Sequence, residues 1–199
     1  MGIDSTINLP ESYTDLDQTL NSADLVLSDA VANATTLFHT PVVSSIKGKE
    51  VVSRVMVLRE FNLANKMMRF HTDFRAAKIK QFTENNSVSV IGYDPDLKIQ
   101  IKLQGKIRVH HDDEITELAW KESNGRSKKC YSIKDGSTKE ILEPSDYDFQ
   151  DFEAEDGYEN FAVLIFNFNT LEFLYLKSSG HRRAIHRWED DLKSTWLVP

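Results

Sequence analysis

Between residues 15 and 34 the apolar positions Leu16, Leu20, Ala23, Leu27, Ala30 and Ala34 return every three or four residues, with Asp17, Asn21, Asp24 and Ser28 between them. That period predicts an amphipathic helix that packs one stripe on a larger body. From residue 37 the period shortens to two. Strands over 37–46 and 51–61, separated by the turn-prone Lys47-Gly48-Lys49, predict a hairpin. A short strand over 67–72 leads to Asp73, a residue type whose carboxylate accepts from the free N–H groups of a helix start. A helix is therefore expected over 74–84, stopped by Asn85-Asn86. A strand over 87–93 and a turn at Asp94-Pro95-Asp96 follow. Residues 97–109 then alternate most cleanly: Leu97, Ile99, Ile101, Leu103, Ile107 and Val109 point one way, and Lys98, Gln100, Lys102, Gln104, Lys106 and Arg108 the other.

Residues 112–122 predict a short helix, and 123–139 a polar, irregular loop placed over a site. The acidic stretch 143–159 reads as a surface helix or lid, with Tyr147, Phe149, Phe152 and Tyr158 interspersed. Strands over 161–168, 171–177 and 182–188 complete the chain before its Leu197-Val198-Pro199 ending. Strands outnumber helices and hairpin-length connections join them. The pattern predicts a mainly β (α+β) domain over 1–199: an antiparallel barrel with peripheral helices.

Charge narrows the partners. The 199 residues carry a net charge of −7, which argues against a nucleic-acid binder, since phosphate-backbone affinity needs surplus Lys and Arg. Any anion must be held locally. No stretch approaches the roughly 20 apolar residues of a membrane span, and Met1 to Pro10 has neither a basic nor an apolar leader region. A cytoplasmic protein is expected. Cys130 is the single cysteine, so there is no internal disulfide or thiolate cluster, and redox chemistry would need a bound cofactor.

The candidate chemistry is a donor-rich run in an acidic chain: Arg54 on a strand, Arg59 at its end, His71-Thr72 ending the next strand, then Arg75 and Lys78 at a helix start. A helix start has unpaired N–H groups and partial positive charge, which suit a phosphate. No metal site is expected at His110-His111-Asp112-Asp113-Glu114, because neighbours at a strand end diverge. His181 and His186 are expected as an interface residue and a surface residue. Cys130 is expected as a small polar loop residue.

The order of the pieces carries more than any one of them. Ser53-Arg54-Val55-Met56-Val57-Leu58-Arg59, then Arg69-Phe70-His71-Thr72-Asp73-Phe74-Arg75-Ala76-Ala77-Lys78, then Ile99-Gln100-Ile101-Lys102-Leu103-Gln104-Gly105 resemble the FMN-binding half of the pyridoxamine 5'-phosphate oxidase-like split β-barrels. Gly180-His181-Arg182-Arg183-Ala184 and Trp196-Leu197-Val198-Pro199 extend the resemblance from about residue 34 to 199. It implies an FMN-binding split barrel. Arg54 and Lys78 would hold the FMN phosphate, residues 54–58 (Arg54, Val55, Met56, Val57, Leu58) would run beside the isoalloxazine, and His71, Thr72 and Arg75 would add contacts. Gln100 would reach the flavin ring. The flavin would lie at the interface of a homodimer, with Arg182 or Arg183 coming from the partner.

The implied activity is an FMN-dependent oxidoreductase acting on a small molecule, with a non-catalytic flavin- or haem-binding barrel as the alternative. For haem, His71 or His181 would be the axial ligand. Arg59, Lys128 and Ser132 are the candidate substrate contacts. The chain departs from the family at Ala76, where many relatives have a serine, and at Ser127-Lys128-Lys129-Cys130-Tyr131-Ser132, where the vitamin-specific oxidases have an arginine and a serine. Around Arg183-Ala184-Ile185 the arginine and histidine that grip substrate have no clear counterpart.

Overall fold

A computed structural model describes residues 7–148 and 154–199. Phe149 and Phe152 of the acidic stretch lie outside the described residues. Helix α1 (Leu16–Ala32) starts where Asp15 accepts from the Asp17 N–H, and it buries Ala23, Val26, Leu27 and Ala30. A single 3₁₀ turn (Leu37–His39) then replaces the first half of the strand expected over 37–46. Pro41 precedes β1 (Val42–Lys47), and proline cannot donate to a ladder. Gly48, with φ 61°, makes the turn into β2 (Glu50–Val55).

The strand expected over 51–61 is two strands. β2 pairs with β1, whereas β3 (Leu58–Asn62) pairs with β4 (Met67–Asp73). The other strands are β5 (Ser87–Asp94), β6 (Ile99–His110), β7 (Phe161–Tyr175), β8 (Arg182–Trp188) and β9 (Leu192–Leu197). Among the described residues they form one nine-stranded, antiparallel sheet in the order β2-β1-β5-β6-β7-β4-β3, with β8 on β7 and β9 on β8. The two ends of that path, β2 and β3, are joined by Met56 and Val57 alone. The sheet curls on itself without closing its ladder, as in a split barrel.

β7 is the hub. Strands expected over 161–168 and 171–177 are this one strand, with β6 along one edge from Val163 to Tyr175. Its other edge pairs with β4 over Phe161–Asn167 and with β8 over Thr170–Tyr175. Where the partner changes, Gln104 opposes Thr170 and Gly105 opposes Phe168, so Asn169 bulges out. A Cβ on Gly105 would lie 2.1 Å from the Asn167 carbonyl oxygen, so the crossing requires glycine there.

Two cores result. Inside the barrel, Val43, Leu58, Met68, Phe70, Val90, Ile101, Leu103, Phe166 and Phe173 pack with α1. On the outer face of β7, Phe161 and Val163 pack under Ala119 and Trp120 of α3 (Glu114–Glu122), with Tyr131. The loop expected over 123–139 contains a short helix, α4 (Gly125–Lys129). Helix α2 (Ala77–Glu84) is shorter than expected and starts at Ala76, which makes no side-chain cap bond. Asp73 is not its cap. That residue ends β4, and its carboxylate is taken by Arg75.

Candidate functional site

Alternation along β2 points Arg54 to the same side as its partner Val43, under α2. Its guanidinium donates from Nη1 to the Val43 carbonyl (3.2 Å) and Ser45 Oγ (2.8 Å), and from Nη2 to Gln81 Oε1 (2.5 Å). Its other face stands 5.4 Å from the Phe82 ring centroid. In the first turn of α2, Lys78 donates from Nζ to Thr72 Oγ1 at 3.2 Å. Every one of these partners is neutral. Burial lowers the pKa of Arg54, and burial followed by the Arg54 charge lowers that of Lys78, with Asp73 in partial opposition. Asp73 does not complete the cluster, because both of its oxygens hold Arg75, at 3.0 and 2.7 Å.

Two half-buried cations with neutral partners are costly unless an anion joins them. The donor set of guanidinium, ammonium and threonine hydroxyl beside a helix start fits a phosphate group. Beside Thr72 and Lys78 a cavity of about 400 Å³ opens, roofed by Tyr131, Ile133, Asp135 and Tyr147. Arg75 ties that roof down by donating to the carbonyls of Ile133 (2.9 Å) and Lys134 (3.2 Å). Its charge is thus spent on Asp73 and the roof. Asp135 braces the roof in turn through Lys139 and the Tyr147 hydroxyl.

From Arg54 the chain crosses from one end of the sheet path to the other. Val55 is exposed, Met56 and Leu58 are buried, and Val57 is partly buried. At the far side Arg59 enters a second, smaller chamber with His71. Thr72 and His71 are neighbours on β4 and face opposite ways: Thr72 toward Lys78, His71 toward Phe161 with ring centroids 4.9 Å apart. Ser127 lines the Arg59 chamber, whereas Lys128 sets its ammonium over the Trp120 ring at 5.0 Å. The Ser132 hydroxyl is buried without a hydrogen-bond partner.

Gln100 lies on the opposite face of the sheet from Arg54, so one chain does not bring the two together. On that outer face Lys102 (2.7 Å) and Arg183 both pair with the buried carboxylate of Glu172. Burial pushes the Glu172 pKa up, but the hydrogen bonds from Lys102 and Arg183 outweigh it and hold it low. Arg182 turns the other way and donates to the Tyr13 carbonyl at 3.2 Å. His181 is exposed and accepts from the Lys177 N–H.

His186 corrects the expectation of a surface residue. It is fully buried between α1 and β9, 2.9 Å from Thr19 Oγ1 and 2.8 Å from Ser194 Oγ. Thr19 Oγ1 already donates to the Leu16 carbonyl, so it accepts from the imidazole. Gln81, Ser45 and Glu172 were not singled out by the sequence reading. The one available signal was their polarity at positions whose alternation points inward or onto a shared face.

The fold defines a class, that of the split barrels, and its site holds two cations with neutral partners. Residues 24–111 match the family model "Pyridoxamine 5'-phosphate oxidase, FMN-binding domain". A pyridoxamine 5'-phosphate oxidase-related, FMN-binding protein from Nostoc punctiforme superposes with a TM-score of 0.74 at 16% identity, over 89% of this chain and 96% of that one. PhzG from Burkholderia lata, solved with tetrahydrophenazine-1-carboxylic acid, superposes at 0.68 with 17% identity, over 92% and 90%. A Clostridium acetobutylicum protein related to general stress protein 26 gives 0.54 at 13%, over 85% and 94%. No curated protein matches by sequence. The chain has the fold of the pyridoxamine 5'-phosphate oxidase-like split barrels and, over residues 24–111, their FMN-binding sequence signature. Among the described residues no helix is long and apolar enough to cross a membrane.

Proposed function

We propose that the chain is an FMN-dependent oxidoreductase working as a homodimer on a small molecule. The observation that carries this reading is the Arg54 and Lys78 pair, two half-buried cations whose partners are all neutral. Arg54, Lys78 and Thr72 hold the phosphate, and residues 54–58 lie along the ring system. When bound, FMN supplies the electron transfer, and the protein contributes binding, orientation and electrostatics. Held by its roof contacts, Arg75 shapes the cavity and does not grip the phosphate. Arg59 faces the substrate.

A second copy supplies what one chain lacks. Gln100 and Arg183 lie on the outer sheet face, which also exposes Val51 (75%), Val55 (62%) and Tyr93 (42%). An apolar sheet face of this kind suits a self-complementary interface. PhzG was solved with a carboxylic acid, which supports a small organic acid as substrate over a macromolecule. A haem reading is less well supported: His71 opens into a chamber of about 140 Å³ that it shares with Arg59 and Arg69, far too small for a macrocycle.

The test is an FMN titration of purified protein, followed by flavin fluorescence and by thermal unfolding. Saturable binding that raises the melting temperature is expected, since a ligand at 100 times its Kd adds about 2.7 kcal/mol. A protein indifferent to FMN in both readouts rejects the proposal. Mass determination in solution for wild type and Val55→Asp tests the dimer, with dissociation expected in the variant.

A further inference from the structure

The contacts that fix Arg54 form a closed ring. Nη1 donates to Ser45 Oγ and Nη2 to Gln81 Oε1, and Ser45 Oγ donates to the same Gln81 oxygen at 3.1 Å. The second Nη1 N–H goes to the Val43 carbonyl. Ser45 is 2% exposed and Gln81 8%, so both acceptors are withdrawn from solvent. Gln81 lies three residues after Lys78 on α2, and that spacing puts the carboxamide and the ammonium on one helix face.

A guanidinium carries five N–H groups in one plane. Nη1 spends both of its own here. Because Ser45 and Gln81 are bonded to each other across the Nη1–Nη2 end, Nη2 spends the N–H at that end. Nε–H and the Nη2–H beside it remain, two parallel donors along one edge, the arrangement that meets two oxygens of a phosphate at once. The choice of acceptor decides whether the charge remains as well. Arg69, Arg75 and Arg183 are each held by carboxylates, of Glu60 and Glu122, of Asp73, and of Glu172. Those three are oriented and neutralised in one step. Gln81 has the shape of a glutamate without its charge, so it orients Arg54 and neutralises nothing.

We infer that Gln81, braced by Ser45, is a positioning residue that sets the charge selectivity of the site: its neutral carboxamide aims the free edge of Arg54 and leaves the full positive charge for a phosphate. The inference deepens the proposed function and rests on that reading for the phosphate being that of FMN. The ring itself does not depend on flavin.

Two readouts test it. Melting temperatures of FMN-free protein across a titration of inorganic phosphate, against chloride at matched ionic strength, read the site without flavin. The ratio of FMN to riboflavin affinity reads it with flavin. Wild type should show a saturable rise with phosphate. Gln81→Glu supplies the missing charge internally, so it should melt no lower than wild type without ligand, lose the phosphate response, and reduce the FMN to riboflavin ratio at least tenfold. A merely structural glutamine would not separate stability from affinity in this way. Gln81→Met, which keeps the bulk and loses the acceptor, should reduce the ratio severalfold. Ser45→Asp brings the same charge from the other side of the ring and repeats the test if Gln81→Glu does not fold. A wild-type phosphate response in the folded carboxylate variant overturns the inference, as does Gln81→Met that matches wild type in both readouts. A wild type that responds neither to inorganic phosphate nor to FMN also overturns it. Wild type stabilised by inorganic phosphate but indifferent to FMN, with the response lost in Gln81→Glu, supports the inference and removes the flavin reading alone.

Discussion

Two clusters of basic side chains sit on opposite faces of the same sheet and solve the same problem differently. On the outer face, Lys102 and Arg183 converge on the buried Glu172 and neutralise it. Under α2, Arg54 and Lys78 converge on Thr72, Ser45, Gln81 and a carbonyl, none of them charged. The first cluster is complete within one chain and stabilises the fold. The second has polar support and surplus charge, the condition for capturing an anion from outside. The difference lies in who supplies the negative charge.

The largest effect expected from this contrast is on FMN. Arg54→Ala/Lys78→Ala removes two charge-assisted contacts of roughly 1.5–3 kcal/mol each and should weaken FMN binding by about 100-fold or more. Fluorescence titration reads it. The same change should leave the FMN-free protein as stable as wild type or more so, because it removes two cations that burial disfavours. A large loss of apo stability would show that the cluster is structural.

Glu172→Gln should do the reverse. It leaves Lys102 and Arg183 without their shared carboxylate and should cost about 2 kcal/mol of stability, below the usual value for a fully buried pair because both cations are partly solvated. Denaturant unfolding measures it, and FMN affinity in the same variant should change by less than tenfold.

His186 gives a pH-dependent effect. Burial depresses its pKa to about 4 from an ordinary 6.5, so the folded state prefers the neutral ring. The stability this contributes is complete above pH 6.5 and is lost progressively as the pH falls toward 4. Unfolding midpoints across that window should fall more steeply for wild type than for His186→Gln. Parallel curves would remove His186 as a cause.

The smallest expected effect is a gain. Ala76 caps α2 without a side-chain bond, so Ala76→Ser should add about 1 kcal/mol to the helix. Its hydroxyl, set beside the cation cluster, should also tighten FMN binding severalfold. A melting curve and the fluorescence titration check the two parts.

How far the sequence carried the fold depended on how regular each partner arrangement is. β6 keeps one neighbour on each edge and one buried face, so its alternation of Ile99, Ile101 and Leu103 with Gln100, Lys102 and Gln104 was legible. β7 changes partner at Asn169 and is covered on both faces over Phe161–Phe166, which breaks the period and makes one strand read as two. Residues 51–61 read as one strand because no turn residue marks the crossing at Met56 and Val57. β9 was missed because Leu192–Leu197 is an edge strand with little buried surface. For the site, residue type and order picked out Arg54, Thr72 and Lys78, which do come together. They could not tell Arg75, spent on Asp73, from a free cation, nor foresee that His71 and Thr72 face opposite sides. Both depend on long-range packing that local pattern does not encode.

The central claim is that the surplus charge under α2 is a flavin phosphate site. The most direct measurement compares the affinity of wild type and of Arg54→Ala/Lys78→Ala for FMN and for riboflavin, which lacks the phosphate. Wild type should bind FMN at least 100-fold more tightly than riboflavin, and the variant should hold both equally weakly. Equal affinity of wild type for FMN and riboflavin, or an unchanged FMN preference in the variant, would contradict it.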